Sequence, residues 1–257
     1  MKQNHFYISY FGNKRSEVKD IVNCIPRIEL YKTIIEPFCG SCAISYYIWT
    51  LYPEKEFILN DNNIFLKEMY DIIKDNEKIK EFEDYINGFV MDNVLDTKEH
   101  YVQYLKDNKN IRSWFIMNKY YSIRPGLYDT SKTKKRLFYI KDYPIYNFFK
   151  EAKIQFVRGD AITCYELYKD DPLNCIILDP PYLMTCNDFY HEANVNIYQH
   201  LNNNDINNEK AFICLILEDN WIIKLLFPDI TYNIKRYNKL YQTTKKKTVH
   251  MVITNDV

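Results

Sequence analysis

The sequence lacks the features that mark membrane, secreted and disulfide-stabilised proteins. No uncharged run approaches the roughly 18 residues that a membrane span requires, and the first residues, MKQNHFYISYFGNKR, contain no apolar signal-peptide segment. The seven cysteines are odd in number and scattered, which is typical of buried thiols in a reducing compartment. We therefore expect an intracellular protein of the cytoplasm, nucleoid or nucleus that is not secreted and does not contact a membrane.

Two further absences limit the kind of binding site. Cys39 and Cys42 have C-x-x-C spacing, but no second pair and no nearby histidine would complete a zinc site, so we predict no metal. The net charge is zero, which argues against a protein that binds polyanions indiscriminately. No internal repeat or low-complexity linker is present, and 257 residues suffice for one large domain or for one domain with an inserted lobe.

Charge is nevertheless distributed unevenly along the chain. Residues 109–141 contain nine basic side chains against one acid, and residues 235–247 contain six basic side chains and no acid. Residues 54–107 carry fourteen acids against seven basic side chains. This asymmetry indicates one basic face for which nucleic acid is a suitable partner, although ordinary solvated loops would also explain it.

Short apolar runs alternate with helical patterns along most of the chain. Helices are predicted over 16–25 and 42–51 and, from apolar residues at helical spacing, over 63–87 and 97–121. The basic stretch 122–142 is predicted to be a loop or hairpin. Strands are predicted over 31–35, 57–59, 154–157, 175–178, 212–217 and 249–254.

This alternation predicts an α/β fold with a doubly wound, mostly parallel sheet. The largely helical block 63–150 interrupts the alternation of strands and helices. We therefore predict a catalytic domain formed by residues 1–62 and 151–257, with 63–150 as an inserted lobe.

One predicted strand ends in a distinctive tetrapeptide, Asp179-Pro180-Pro181-Tyr182. Ligands of open α/β sheets bind at the carboxyl ends of strands, and two prolines hold the backbone extended without contributing N–H groups. A carboxylate, a free carbonyl and an aromatic face together suit a planar base that carries an exocyclic amino group.

Two other strand ends predict a nucleoside site. Glu36-Pro37-Phe38-Cys39-Gly40-Ser41 follows the first strand, and Gly40 permits a tight turn and the close approach of a ligand. Asp61 ends the next strand, where doubly wound folds place a carboxylate for ribose hydroxyls. A plain structural turn would explain Gly40 alone, and the same holds for Gly159-Asp160.

A loop near the start of the chain, Tyr10-Phe11-Gly12-Asn13-Lys14, precedes a predicted helix. Its lysine is suited to an anionic contact, and an ordinary loop is the alternative. Together with Glu36–Ser41, Asn60-Asp61-Asn62, Gly159-Asp160 and Asp179–Tyr182, this loop resembles, in order, the motifs of Dam-type (D12 class) DNA adenine-N6 methyltransferases. The ending His250-Met251-Val252-Ile253-Thr254-Asn255 is similar to the last strand of that family, so the resemblance spans residues 8–255.

The resemblance implies a Rossmann-like, S-adenosyl-L-methionine-dependent enzyme that methylates the N6 amino group of a flipped-out adenine in double-stranded DNA. It implies that Asp179, Pro180, Pro181 and Tyr182 are catalytic and that 63–150 is the target-recognition lobe. The cofactor residues that it implies are Tyr10, Phe11, Gly12, Lys14, Glu36, Phe38, Cys39, Gly40, Ser41, Asp61, Asn62, Asp160, Ala161 and Asp179. The DNA-binding residues assigned to the lobe are Lys119, Arg124, Lys134, Lys135 and Arg136.

Two positions depart from the family pattern. Cys42 stands where a second glycine is usual, and Ala161 replaces the aromatic residue that commonly follows the Gly-Asp pair. Both changes lie on the cofactor side of the expected site.

Two alternatives to this function stay open at the level of sequence. The first is a catalytically inactive protein of the same fold that binds DNA or another protein. The second is a methyltransferase that acts on a different amine, such as cytosine N4 or adenine in RNA.

Overall fold

The structure, a computed structural model, describes residues 13–91, 97–120, 137–183, 196–240 and 247–255. These residues form two compact units. One unit contains Asn13 with residues 63–151, and the other contains residues 14–62 with 152–255. The division of the chain into a catalytic domain and a recognition lobe stays a prediction, because no functional observation bears on it.

The larger unit contains a seven-stranded sheet within the described residues. The strands are β1 (Thr33–Glu36), β2 (Glu56–Asn60), β3 (Lys153–Val157), β4 (Asn174–Leu178), β5 (Phe212–Glu218), β6 (Asn233–Leu240) and β7 (Lys247–Thr254). Their order in the sheet is β3-β2-β1-β4-β5-β7-β6, and only the pairings of β7 with β5 and with β6 are antiparallel. The predicted mostly parallel α/β fold is confirmed.

Central strands are apolar along their whole length because helices cover both faces of a parallel sheet. All five residues of β4 are buried, as are the first six of β5. Ile35 of β1 lies opposite both Ile58 of β2 and Ile176 of β4. This register aligns the carboxyl ends of the parallel strands along one edge of the sheet, where the predicted site residues follow.

Two helices of the larger unit begin at polar caps. Asp160 accepts a 2.8 Å hydrogen bond from the Thr163 N–H, and Asn220 accepts bonds from the Ile222 and Ile223 N–H groups. Such caps satisfy amide groups that have no partner within the helix. The helices of this unit are α1 (Val18–Val22), α2 (Ala43–Leu51), α8 (Ala161–Tyr168), α9 (Asn196–Asn203) and α10 (Trp221–Leu226).

The other unit is helical in the part that the structure describes. The helical pattern over 63–87 divides at Asp75, whose carboxylate accepts hydrogen bonds from Glu77 and Lys78 and so starts a new helix. Phe115 packs against Phe82 and Phe138 in the interior. The helices are α3 (Ile64–Lys74), α4 (Asn76–Met91), α5 (Lys98–Asp107), α6 (Ile111–Tyr120) and α7 (Ile145–Glu151). No helix in the described ranges is long and apolar enough to cross a membrane.

Strand β6 has no counterpart among the predicted strands. Its sequence, NIKRYNKL, was interpreted from its charge as part of a basic face, and charge is common on edge strands because it prevents edge-to-edge pairing. Arg236 bonds to Asp219 and Asp229, and Lys239 bonds to Glu17. Two of the basic residues in this run therefore have acidic partners within the same unit, which corrects their assignment to a basic face.

Asn255 gives a test of how the sheet is held at the start of β5. It accepts a 2.7 Å hydrogen bond from Ile213 and donates a 2.9 Å bond to the Ala211 carbonyl, all in the buried interior. Asn255→Ala leaves both backbone groups without these partners, so we expect the free energy of unfolding to fall by about 3 kcal/mol. Urea unfolding measures this change.

The matched control is Asn207→Ala, because the Asn207 side chain donates a 3.2 Å hydrogen bond to the Thr231 carbonyl at the surface. We expect that substitution to cost under about 0.5 kcal/mol. Equal losses in the two variants would contradict the role given to Asn255.

Candidate active site

The carboxylate of Asp179 lies directly after β4 and has two neighbours from the predicted site. The Lys14 ammonium is 2.6 Å from Asp179 Oδ2, and the Tyr182 hydroxyl is 3.5 Å from Oδ1. The same ammonium lies 5.0 Å from the centroid of the Tyr182 ring. The side chains of Lys14 and Asp179 are only 7% and 16% exposed. The structure therefore brings three predicted site residues together in a largely dry position.

The backbone of the two prolines is held in place by a neighbouring helix. The hydroxyl of Tyr198, on α9, donates a 2.9 Å hydrogen bond to the Pro181 carbonyl. This bond fixes the loop that also carries the Pro180 carbonyl, which is the expected acceptor.

Burial raises the pKa of Asp179, and the charge and hydrogen bond of Lys14 oppose that rise. A carboxylate that is removed from water ionises less readily, whereas a cation at 2.6 Å favours its charged form. Lys14 therefore helps to keep Asp179 an anion, which is the form that accepts hydrogen bonds on both oxygens.

A second buried carboxylate, Glu36, ends β1. It is 3% exposed and accepts a 2.7 Å hydrogen bond from the Ser45 N–H in the first turn of α2. Burial raises the pKa of Glu36 to about 7, although the bond from Ser45 opposes the shift. Glu36 thus fixes the start of α2 relative to β1 and titrates near neutral pH.

The loop between β1 and α2 is bonded to the end of β2. The Cys39 N–H donates to the Asn60 carbonyl at 2.9 Å, and the Gly40 N–H donates to Asp61 Oδ2 at the same distance. Gly40 has φ of 47°, in the left-handed region that glycine adopts readily. The structure therefore brings Gly40 and Asp61 into direct contact, as their pairing in the sequence predicts.

Cys42 also adopts a left-handed conformation, with φ of 58°, immediately before α2. That conformation explains why glycine is usual at this position, since a side chain there costs roughly 1–2 kcal/mol. The residue is 1% exposed, and its thiol lies 3.8 Å from the Gly40 carbonyl oxygen. The backbone therefore accommodates Cys42, in place of the usual glycine, in a strained conformation.

Asn60 is a candidate site residue that the sequence alone did not single out as an individual contact. Its amide group donates to the carbonyls of Pro37 at 2.9 Å and Gly159 at 3.1 Å, which joins the ends of β1, β2 and β3. Its Oδ1 is buried and has no donor among the described residues. A Cβ on Gly159 would lie 3.4 Å from this oxygen. The feature of the sequence that could have indicated this role is a polar residue at the end of a buried strand.

Other predicted cofactor residues lie on the same edge. Asp160 is exposed and caps α8, Ala161 is buried in its first turn, and Asn62 is exposed with its carbonyl 3.3 Å from Arg158 Nε. Phe38 is half-buried against the core, and Ser41 is buried. Tyr10, Phe11 and Gly12 lie outside the described residues.

Of the predicted DNA-binding residues, only Lys119 lies in a described segment. Its ammonium donates to the Tyr143 hydroxyl and lies over the rings of Tyr143 and Phe138, at 4.2 and 5.7 Å from their centroids. Lys119 is therefore engaged with aromatic side chains of its own unit. The remaining predicted residues, Arg124, Lys134, Lys135 and Arg136, lie outside the described residues.

No group of three or more metal-ligating side chains occurs in the segments that the structure describes. Cys39 and Cys42 are both buried, and burial raises the pKa of each thiol. Thiols of this kind are poor thiolate donors.

Comparison with protein families identifies the chain. The family model described as D12 class N6 adenine-specific DNA methyltransferase matches residues 10–245. The chain belongs to this family. The predicted family, the DNA adenine-N6 methyltransferase activity and the cofactor S-adenosyl-L-methionine are thereby confirmed.

Solved structures of other methyltransferases are similar at a low level. Precorrin-6y C5,15-methyltransferase from Geobacter metallireducens GS-15 is 8% identical, with 97% of this chain and 94% of that chain covered and a TM-score of 0.42. The N-terminal domain of human METTL16 in complex with SAH is 7% identical, with 92% and 66% covered and a TM-score of 0.37. Similarity this low carries no argument about function. No curated protein matches the sequence.

The residues at the strand ends of this methyltransferase fit a nucleoside cofactor. The buried Asn60 Oδ1 is an acceptor without a donor among the described residues, and Gly159 leaves space beside it. Asp61 is half-buried and held by Gly40, which suits a carboxylate that accepts hydrogen bonds from ribose hydroxyls. A polar group that is buried without a partner is costly unless a ligand satisfies it.

The raised pKa of Glu36 makes the stability of the methyltransferase depend on pH. Between the ordinary pKa of 4.5 and the folded value of about 7, the unfolded chain loses a proton that the native state retains. Stability therefore falls as the pH rises through this window. Glu36→Gln cannot ionise at this position. We therefore expect its free energy of unfolding to rise relative to that of the wild type as the pH increases, by roughly 3 kcal/mol in total once the pH is above 7.

Urea unfolding of both proteins at a series of pH values measures this difference. The matched control is Glu29→Gln, which makes the same substitution at an exposed glutamate of the same unit. A difference between Glu36→Gln and the wild type that stays constant with pH would contradict the shifted pKa.

Proposed function

We propose that this enzyme methylates N6 of an adenine flipped out of double-stranded DNA, and that Asp179 and the Pro180 carbonyl accept the two hydrogens of the amino group. The observation that carries this proposal is the largely buried Asp179 carboxylate at the end of β4, with Lys14 at 2.6 Å and Tyr182 beside it. A base inside a duplex cannot be reached by these groups, so it must leave the stack.

The chemistry of the amino group explains why two acceptors are needed. The nitrogen is a poor nucleophile because its lone pair is delocalised into the adenine ring. Acceptors on both hydrogens favour a pyramidal nitrogen, and they stabilise the positive charge that develops on it. Asp179 can also receive the proton that the amino group must lose, and its raised pKa makes it a better base.

We assign the remaining roles from the positions of the side chains. Tyr182 offers a ring for stacking the flipped base, an interaction worth roughly 1–3 kcal/mol. The cofactor would be held by the strand-end loops that contain Gly40, Asp61 and Asp160, with Asn60 as an additional contact. S-adenosyl-L-methionine, when bound, supplies an electrophilic methyl group.

We further infer that residues 63–150 contact the DNA. The support is the basic composition of residues 109–141 and their place between the two sequence segments of the catalytic unit. An enzyme with this substrate works in the cell compartment that contains the DNA, which is the cytoplasm, nucleoid or nucleus.

The central test is methyl transfer from radiolabelled S-adenosyl-L-methionine to unmethylated genomic DNA, with N6-methyladenine mapped by sequencing. We expect label in adenine of duplex DNA and a loss of roughly 10²–10³-fold in rate for Asp179→Ala, because one preorganised acceptor is removed. Heat-denatured DNA and RNA of the same sequence test whether the substrate is a DNA duplex.

The matched control is Asp229→Ala, which removes an aspartate whose side chain is 60% exposed and which pairs with Arg236. It should transfer methyl groups at the wild-type rate. Wild-type protein that binds the cofactor but labels no nucleic acid would contradict the proposed enzymatic activity. Equal labelling by Asp179→Ala would contradict only the role assigned to Asp179.

The ion pair between Lys14 and Asp179 predicts a pH effect on the rate. The carboxylate must be ionised to accept the amino hydrogens, and Lys14 lowers a pKa that burial raises. Lys14→Met should raise the pKa of Asp179 further and so move the acid limb of the rate profile to higher pH. Single-turnover rates at saturating cofactor from about pH 5 to about pH 9 measure the shift.

Lys169→Met is the control for this profile, since Lys169 pairs with Glu166 and Glu209 elsewhere in the same unit. Its acid limb should coincide with that of the wild type. A Lys14→Met profile that is lower in rate but unshifted in pH would show that Lys14 does not act through the ionisation of Asp179.

A further inference from the structure

A buried polar cluster lies behind the Tyr182 ring and is used by no step of the mechanism above. Its centre is Glu17, which is 3% exposed and precedes α1. Glu17 Oε2 lies 2.7 Å from His250 Nδ1 and 3.0 Å from the Tyr237 hydroxyl, and Oε1 contacts the Lys239 ammonium. The cluster therefore joins the start of the unit to strands β6 and β7.

His250 connects this cluster to the proposed base-stacking residue. His250 is 1% exposed, and the centroid of its imidazole lies 5.3 Å from the centroid of the Tyr182 ring, at an interplanar angle of 90°. It also contacts the Tyr237 ring at 5.7 Å and 69°. Aromatic rings that meet edge to face restrict each other's orientation. A change in the tilt of the His250 ring would therefore change the orientation of the Tyr182 ring.

Glu17 is suited to fixing that tilt. Burial would raise its pKa, but the His250 and Lys239 bonds and the charge of Lys14 outweigh burial and lower it to about 2. The carboxylate is thus an anion at neutral pH, and its Oε2 lies 2.7 Å from the imidazole Nδ1. A carboxylate held by Tyr237 and Lys239 from a neighbouring strand gives the imidazole one preferred orientation.

We propose that Glu17 and His250 are positioning residues that set the plane of the Tyr182 ring for stacking the target adenine. This inference rests on the proposed function, because it gives Tyr182 its role. Glu17 acts on His250, and His250 acts on Tyr182, so neither residue needs to touch the substrate. The arrangement also accounts for a buried ionic cluster at a place where apolar side chains would pack at lower cost.

A double-mutant cycle separates positioning from general support of the fold. The proteins are wild type, His250→Ala, Tyr182→Ala and the double variant, each assayed for single-turnover methyl transfer to unmethylated genomic DNA at saturating S-adenosyl-L-methionine. We expect His250→Ala to slow transfer roughly tenfold in the wild-type background and less than about twofold in the Tyr182→Ala background. Equal slowing in both backgrounds would overturn the proposal, because His250 would then act independently of Tyr182.

Two conservative variants keep the test valid where His250→Ala does not fold. His250→Phe retains a ring against Tyr182 but removes the contact with Glu17, and Glu17→Gln removes the charge with little change of shape. Each should slow methyl transfer in the wild-type background while leaving the cofactor dissociation constant, measured by calorimetry, within about twofold of wild type. Wild-type rates in both variants would overturn the role of Glu17.

His200→Ala is the matched control, because His200 Nε2 lies 2.7 Å from Glu166 in a more exposed histidine–glutamate pair of the same unit. It should transfer methyl groups at the wild-type rate. If the wild-type protein transfers no methyl group, both the proposed function and this inference are contradicted. If the wild type is active but the effects of the two substitutions are additive, only this inference is contradicted.

Discussion

The ion pair between Lys14 and Asp179 is the interaction on which the rest of the site depends. Asp179 follows a fully buried strand, so its carboxylate is removed from water, and burial raises its pKa. A lysine at 2.6 Å, from a distant part of the sequence, opposes that rise and favours the charged form. The sheet order aligns the ends of the parallel strands, and the two prolines that follow restrict the backbone of the loop.

Around this pair, polar groups at the strand ends are bonded to one another across loops. Glu36 holds the first turn of α2, Gly40 holds Asp61, and Asn60 joins the loops that follow β1 and β3. Each bond links elements that are far apart in sequence and adjacent in the sheet. The proposed catalytic residues and the proposed cofactor residues thus lie along a single sheet edge, where burial and specific partners set their charge.

Much of this arrangement is predictable from the sequence, since the β-branched run of β4 and the motifs after β1, β2 and β4 indicate both the fold and the site edge. The unpredicted features are those in which a side chain's partner lies on another element. Strand β6 was missed because Arg236 and Lys239 suggest a solvated basic run, and only their pairing with Asp219, Asp229 and Glu17 explains their place in a strand. Likewise, the sequence does not indicate that Asn60 has a buried side-chain oxygen, which makes it a candidate contact. Nor does it predict the left-handed backbone conformation of Cys42.

The bond between the Gly40 amide and the Asp61 carboxylate has a consequence for the thermodynamics of cofactor binding. Groups that are already held in their bound arrangement lose little conformational freedom when a ligand arrives, so more of the contact energy is retained as affinity. This bond joins the loop after β1 to the carboxylate after β2, so the ordering of both groups is part of the folding of the chain. In the proposed cofactor site, these two groups would therefore lose little further conformational entropy on binding.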